Sequence, residues 1–189
     1  MNMALAKIEL AKMEHLDAFK SYVDECVVDG IVLYEFILSH YERYLSKRIA
    51  YAKGEQLPTG WTPITTYFCV EDGVILGSIR VRQGSGDYIE HVIGHIGYET
   101  RPSARGKGVA KFMLSSIQNS GLADNAIISC DPANFASRKV IESCGAEFLN
   151  EYYYKPEDQD VRRYRLHSEC KNIAKIKINV LINKGFMLL

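Results

Sequence analysis

Residues Arg105 to Ala110 read RGKGVA, and a run of that composition can hold a phosphate. Gly106 and Gly108 let the backbone approach a bulky anion closely and take turns that side chains resist. An apolar helical pattern, VAKFML, starts at once. The N–H groups of Arg105, Gly106, Lys107, Gly108, Val109 and Ala110 therefore lie at a helix start and lack helical acceptors. The helix dipole adds partial positive charge there, and the ligand that suits such a turn is a phosphate or diphosphate. The alternative use of the same residues is an ordinary loop with its cations in solvent.

Two phosphate-binding patterns fail on this run. A Walker A loop needs Gly-Lys followed by Ser or Thr and a glycine four residues ahead, but Gly108 follows Lys107 and Arg101 stands in the glycine position. A dinucleotide fingerprint accepts Gly106 and Gly108 but meets Lys111 at its third glycine, and it should open a βαβ unit rather than follow half a chain.

The loop needs a strand before it and a helix after it. HVIGHIGYETRP reads as that strand, ended by Pro102, and the helix is expected over about residues 107 to 120, with Gly121 beyond it. MEHLDAFKSYVDECV places Leu16, Phe19, Val23 and Val27 at helical spacing. IVLYEFILSHYERYLSKRIAYAKG reads as a second helical stretch ended by Gly54. ITTYFCVEDGVILGSIRVRQ gives two β-rich runs around Glu71-Asp72-Gly73, a hairpin signal. NAIISC is a short buried strand, DPANFASRKVIESCGAEF a helix stopped by Gly145, and FLNEYYYK with VRRYRLH a closing strand pair. The expected order is helices, a β meander, then strand, helix, strand, helix, strands. It implies one α/β domain with a single sheet.

Composition narrows the classes. The 189 residues carry 23 basic and 23 acidic side chains, so formal net charge is zero. A balanced chain is a poor general binder of nucleic acid or membrane, and any anion site must be local. The start carries charges every few residues, unlike a signal peptide, and no apolar run is long enough to span a bilayer. Five cysteines without a Cys-x-x-Cys pair point to a reducing, cytoplasmic setting, with no disulfide framework and no metal site.

A third phosphate pattern, Arg/Gln-x-x-Gly-x-Gly/Ala, is met at Arg105, Gly108 and Ala110. With it the sequence resembles the GNAT N-acetyltransferase superfamily. RGKGVA resembles the pyrophosphate loop of that family. DPANFASRKVIESCGAEF resembles its next motif, opened by Asn134 and closed by Gly145. LPTGWTPITTYFCVEDGVILGSIRVR and GHIGYETRPSARGKGVAKFML are similar to a bacterial subgroup of predicted acetyltransferases. The resemblance runs over about residues 8 to 166, in the family's motif order.

The resemblance implies a mixed, mostly antiparallel sheet splayed beside the loop and flanked by helices. Residues 1–170 are expected to form the acetyltransferase domain; in the 171–189 extension the alternation of Ile176, Ile178, Val180 and Ile182 reads as an extra strand or a partner contact that allows a homodimer, with a poorly ordered tail as the alternative. The resemblance implies acetyl-CoA as cosubstrate. The backbone of Tyr98 and Thr100 would bind the pantetheine arm, the N–H groups from Arg105 to Ala110 the pyrophosphate, and Asn134 and Ser137 would touch the cofactor. Without the family, Asn134 and Ser137 read as helix capping and a solvated face.

The implied reaction is acetyl transfer to a primary amine of a small molecule or peptide. A non-catalytic acyl-CoA sensor is the alternative. A lysine-like ammonium of pKa about 10.4 must lose a proton first. The family usually places the base ahead of the loop, where this chain has Glu90, His91, His95 and Glu99. His95 is the candidate, as the general base or as the residue holding the water that is, because its unperturbed pKa lies near ~6.5. A core histidine is its structural alternative. Glu99 shares its strand face by period-two alternation. Many members carry a tyrosine late in the second cofactor helix that protonates the leaving thiolate. Here that place is Ile141, and Tyr152, Tyr153 and Tyr154 are the nearest substitutes.

Overall fold

A computed structural model of the chain describes residues 5–168. Strands β1 (Lys7–Leu10), β2 (Ile64–Glu71), β3 (Val74–Arg82), β4 (Ile96–Thr100), β5 (Ala126–Cys130), β6 (Glu147–Tyr154) and β7 (Gln159–Leu166) form one sheet in the order β1-β2-β3-β4-β5-β7-β6. Every neighbouring pair is antiparallel except β4 with β5. Helices α1 (Leu16–Val28) and α2 (Tyr41–Ala52) cover one face, and α3 (Val109–Asn119) and α4 (Phe135–Ser143) the other. The mixed, mostly antiparallel sheet flanked by helices is the architecture expected from the sequence.

Helical periodicity builds both layers. Phe19, Tyr22, Val23 and Cys26 form one buried stripe of α1, packed on Phe68, Val70 and Ile75 of the sheet. Val109, Met113, Leu114 and Ile117 do the same for α3 against Ile79, Val81, Ile96 and Ile128. Because strand side chains alternate, Ile79 and Val81 lie under α3 while Ser78, Arg80 and Arg82 lie on the α1/α2 face.

Four segments depart from the expected elements. Lys7–Leu10 is a strand on the β2 edge; four residues, two of them charged, carry too little pattern to read. The second helical stretch divides into a 3-10 turn, Val32–Ile37, and α2, because Ser39 between them takes φ 75°. α3 begins at Val109, since Gly106 and Gly108 at φ 72° and 85° cannot be helical. The expected strand HVIGHIGYETRP starts only at Ile96: Ile89–Ile93 form a π-helical turn and Gly94, at φ 71°, ends it. His95 therefore precedes β4 rather than sitting in mid-strand. The 171–189 extension lies outside the described residues.

Gly94 is where the chain comes closest to β5. A Cβ at this position would lie 2.9 Å from the Ile127 carbonyl oxygen and 2.9 Å from the Ser129 nitrogen, both backbone atoms that cannot swing away. The Gly94→Ala variant should lose about 2 kcal/mol or more, from the left-handed φ and the clash together. In a domain of this size that is a melting temperature lower by roughly 4 °C or more. Gly86→Ala, where a Cβ meets nothing within 4 Å, should melt as wild type. Equal melting of all three would contradict the close approach.

Candidate active site

The parallel contact between β4 and β5 consists of one residue pair, Ile96 with Ile128. Before it the strands are held together by His95, whose N–H donates to the Ile127 carbonyl at 2.7 Å. Its Nδ1 accepts the Ile127 N–H at 3.0 Å. After it the strands separate. The His95 carbonyl accepts from Arg82 and the Arg101 N–H donates to Leu76, so the odd-numbered residues of β4 direct their backbone groups to β3. The backbone groups of Tyr98 and Thr100 consequently point into the split. Such groups need a partner when covered.

The loop after Thr100 closes the open end of the split. Gly106, Lys107 and Gly108 donate their N–H groups to no protein acceptor among the described residues, and Val109 and Ala110 open α3. Arg105 differs: its N–H donates to the Pro102 carbonyl at 3.2 Å, so the free run begins at Gly106. A Cβ at Gly106 or Gly108 would meet nothing within 4 Å. The space beside the free N–H groups is open, so this stretch fits a pyrophosphate.

Helix α1 holds the loop in place. Glu25 accepts from Arg101 Nε at 2.5 Å and from the Ser103 N–H at 2.6 Å, and Arg101 Nη2 also reaches the Ser21 hydroxyl at 3.0 Å. Asp29 holds the Arg105 guanidinium at 2.6 Å. Burial alone would raise the Glu25 pKa, but the Ser103 and Arg101 hydrogen bonds outweigh it and lower it. A depressed carboxyl pKa means the tie is complete at neutral pH and is lost only as pH falls below the usual carboxylate range. Neither Glu25 nor Asp29 stood out in the sequence, because a carboxylate on the polar side of a helix reads as solvated.

On the α3/α4 side, the Tyr98 hydroxyl and Ser137 Oγ lie 3.0 Å apart, which puts Ser137 at the wall of the split. Burial pushes the Tyr98 phenol up to about 12. Asn134 is exposed, and its Oδ1 caps α4 by accepting the Ser137 N–H at 2.9 Å. Ile141 is fully buried in the core.

On the α1/α2 side, Gly97 is the floor. Glu99 beyond it accepts from both terminal nitrogens of Arg80, at 3.2 and 2.7 Å, and from the Tyr34 hydroxyl. The His95 Nε2 faces Glu90 Oε1 at 3.6 Å, and Ser85 donates to the same oxygen. Across the split the Ser129 hydroxyl is buried without a partner. Arg82 lies beside Gly97 as well, and burial, then Arg80 and Arg48, push its pKa down to about 10. Of the substitute tyrosines, Tyr152 donates to the His91 carbonyl and Tyr153 to Asp158. Among the described residues no cluster of His, Cys, Asp or Glu could hold a metal, and no helix is long and apolar enough to cross a membrane.

The open cradle makes a direct expectation for CoA binding. Lys107→Ala removes one solvated charge and should weaken CoA binding only a few-fold. Gly108→Val forces a β-branched residue into φ 85° beside the anion and should weaken it about a hundredfold or more. Calorimetric titration of both variants measures this, and equal small losses would contradict the cradle.

Comparisons with known proteins agree with this geometry. Residues 12–147 match the acetyltransferase (GNAT) domain family. A search of curated proteins finds no match. Among solved structures, the chain is similar to RimL, a ribosomal L7/L12 alpha-N-protein acetyltransferase in complex with coenzyme A, with TM-score 0.63, 14% identity, and coverage of 86% of this chain and 93% of that one. It is similar to the ribosomal-protein-S5-alanine acetyltransferase of Vibrio fischeri, with TM-score 0.63, 12% identity, and coverage of 90% and 97%. It also resembles the microcin C7 self-immunity acetyltransferase MccE in complex with acetyl-CoA and AMP, with TM-score 0.62, 16% identity, and coverage of 84% and 91%. The family match spans most of the sequence and both motifs that line the split, so the chain belongs to the GNAT family of acetyl-CoA-dependent N-acetyltransferases.

Proposed function

We propose that the chain transfers the acetyl group of acetyl-CoA to a primary amine that approaches over Gly97 from the α1/α2 face. The observation that carries this reading is the β4/β5 split with free N–H groups at its open end. Acetyl-CoA supplies an activated acyl group. The protein's part is to hold it and to present the amine. Tyr98 and Thr100 offer backbone partners to the pantetheine arm, and residues 106–110 take the pyrophosphate, with Ser137 and Asn134 on the neighbouring helix. Similarity to enzymes named for ribosomal-protein amines and to one held with AMP supports an amine acceptor without choosing its size.

The amine must arrive as, or become, the free base. At pH 7 a lysine-like ammonium is deprotonated in about one molecule of a few thousand, equivalent to roughly 4–5 kcal/mol of barrier. The Nδ1 of His95 accepts an amide N–H, so the neutral ring carries its proton on Nε2. In that tautomer the ring is a donor toward Glu90. His95 then holds the water that takes the proton, the second of the two roles considered for it, with the Glu90 carboxylate 3.6 Å away. The thiolate of CoA, with a pKa near ~8.5, leaves without a tyrosine at Ile141.

His95→Gln should lower turnover at pH 7 by about a hundredfold, the usual scale of proton-transfer assistance. The loss should shrink as pH rises, because free amine then forms unaided, while CoA affinity stays close to wild type. A pH–rate profile over a panel of amines, with mass spectrometry of products, measures it. Wild-type turnover in the variant would remove His95 from the mechanism. Saturable CoA binding with no acetylated product from any amine would contradict transfer itself.

A further inference from the structure

Two arginines, Arg80 and Arg82, meet over Gly97 on the α1/α2 face, with Arg48 on the covering helix α2, and the one carboxylate hydrogen-bonded among them, Glu99, is taken by Arg80. A Cβ on Gly97 would stand 3.6 Å from Arg80 Nη2 and 3.6 Å from Arg82 Nη1, so both guanidinium groups overhang the floor of the split. Arg80 is taken by Glu99 through both terminal nitrogens. Arg82 gives Nη1 to the Gly94 carbonyl at 3.2 Å, its Nε is buried with no partner, and Nη2 has no protein acceptor among the described residues. Arg48 stacks on the Tyr44 ring at 4.7 Å and donates to the Tyr44 hydroxyl at 2.6 Å. Among the described residues neither Arg48 nor Arg82 forms an ion pair with a carboxylate.

Crowding like charges in a half-buried place costs free energy, and a buried N–H without an acceptor adds to it. An anionic group from a ligand, held at Nη2, relieves the crowding. The pyrophosphate of the cofactor does not serve, because Arg82 pairs with His95 at the closed end of the split. The cradle begins beyond Thr100, about 16 Å further along an extended strand. What comes to the closed end is the acceptor. The same cations disfavour an ammonium beside them, so a bound amine there is more easily deprotonated.

We infer that the acceptor amine carries a carboxylate, which Arg82 binds. The inference rests on the transfer reading above. Guanidinium and carboxylate match in geometry, and a charge-assisted pair in a partly buried site contributes about tenfold or more in binding. Two sources offer this chemistry: a free amino acid, or a polypeptide whose second residue is acidic.

Acetylation of matched acceptors tests it. One pair is glycine against glycinamide, the other a Ser-Asp against a Ser-Asn tetrapeptide with amidated C-termini, each rate being expressed per free-base amine because the carboxylate raises the ammonium pKa. The wild-type protein should prefer the carboxylate member of one pair at least tenfold in kcat/KM, and the pair that discriminates names the source. Arg82→Gln should abolish that preference while the KM for acetyl-CoA stays unchanged, and Arg82→Lys should restore part of it. Equal rates within both pairs for wild type, or an undiminished preference in a folded Arg82→Gln, would overturn the inference and leave the transfer reading standing. No product from any of the four acceptors, with CoA binding intact, would overturn the inference, whereas the transfer reading falls only if the whole amine panel also gives no product.

Discussion

The separation of β4 from β5 after a single residue pair is the constraint on which the rest of the site depends. A sheet that lets two central strands part leaves backbone N–H and C=O groups without partners, and such groups are not left covered and unpaired. Here the parting is held at a defined place. The Ile127 carbonyl receives the His95 N–H and the Ile127 N–H reaches the His95 ring, so that residue is satisfied on both sides. Gly94, packed against the β5 backbone, permits the π-helical turn that brings His95 there. From Ile96 onward the strands are free to diverge.

The two faces of the split then differ in chemistry. Toward α3 and α4 it is lined by Tyr98, Ser137 and a helix start, neutral groups and dipoles suited to a long cofactor. Toward α1 and α2 it is lined by the Arg80–Glu99 pair, Arg82 and the His95–Glu90 contact. A half-buried ion pair such as Arg80–Glu99 contributes little net stability, because desolvation offsets the attraction. It fixes Glu99 in place, and the Tyr34 hydroxyl holds the same oxygen. Helix α1 ties the faces together: Tyr22 and Phe19 pack the α1/α2 face, while Glu25 grips the loop that carries the free N–H groups.

The open turn before α3 was legible because its signal is local: two glycines, two cations and a helix start within six residues. The layer order was legible because α1 and α3 keep helical period and β2, β3, β6 and β7 keep strand composition. The π-helical turn was not, since EHVIGHIGYET has the apolar content of a continuous strand and only the close approach at Gly94 breaks it. The arginines were not, because the alternation in SIRVR reads as a strand with cations facing solvent. That Arg80 and Arg82 instead lie under α2 and beside Gly97 follows from which face α1 and α2 cover, a tertiary fact. Asn134 was expected at the cofactor from the resemblance and as a helix cap from the residues alone, and the structure shows the cap.

Amide hydrogen exchange with and without CoA tests the central claim most directly, because the claim concerns individual N–H groups. If the cofactor fills the split, Tyr98, Thr100 and residues 106–108 should exchange markedly more slowly when CoA is present, while the β2/β3 ladder stays as it was. Unchanged exchange at those positions under saturating CoA, with protection elsewhere, would contradict the account.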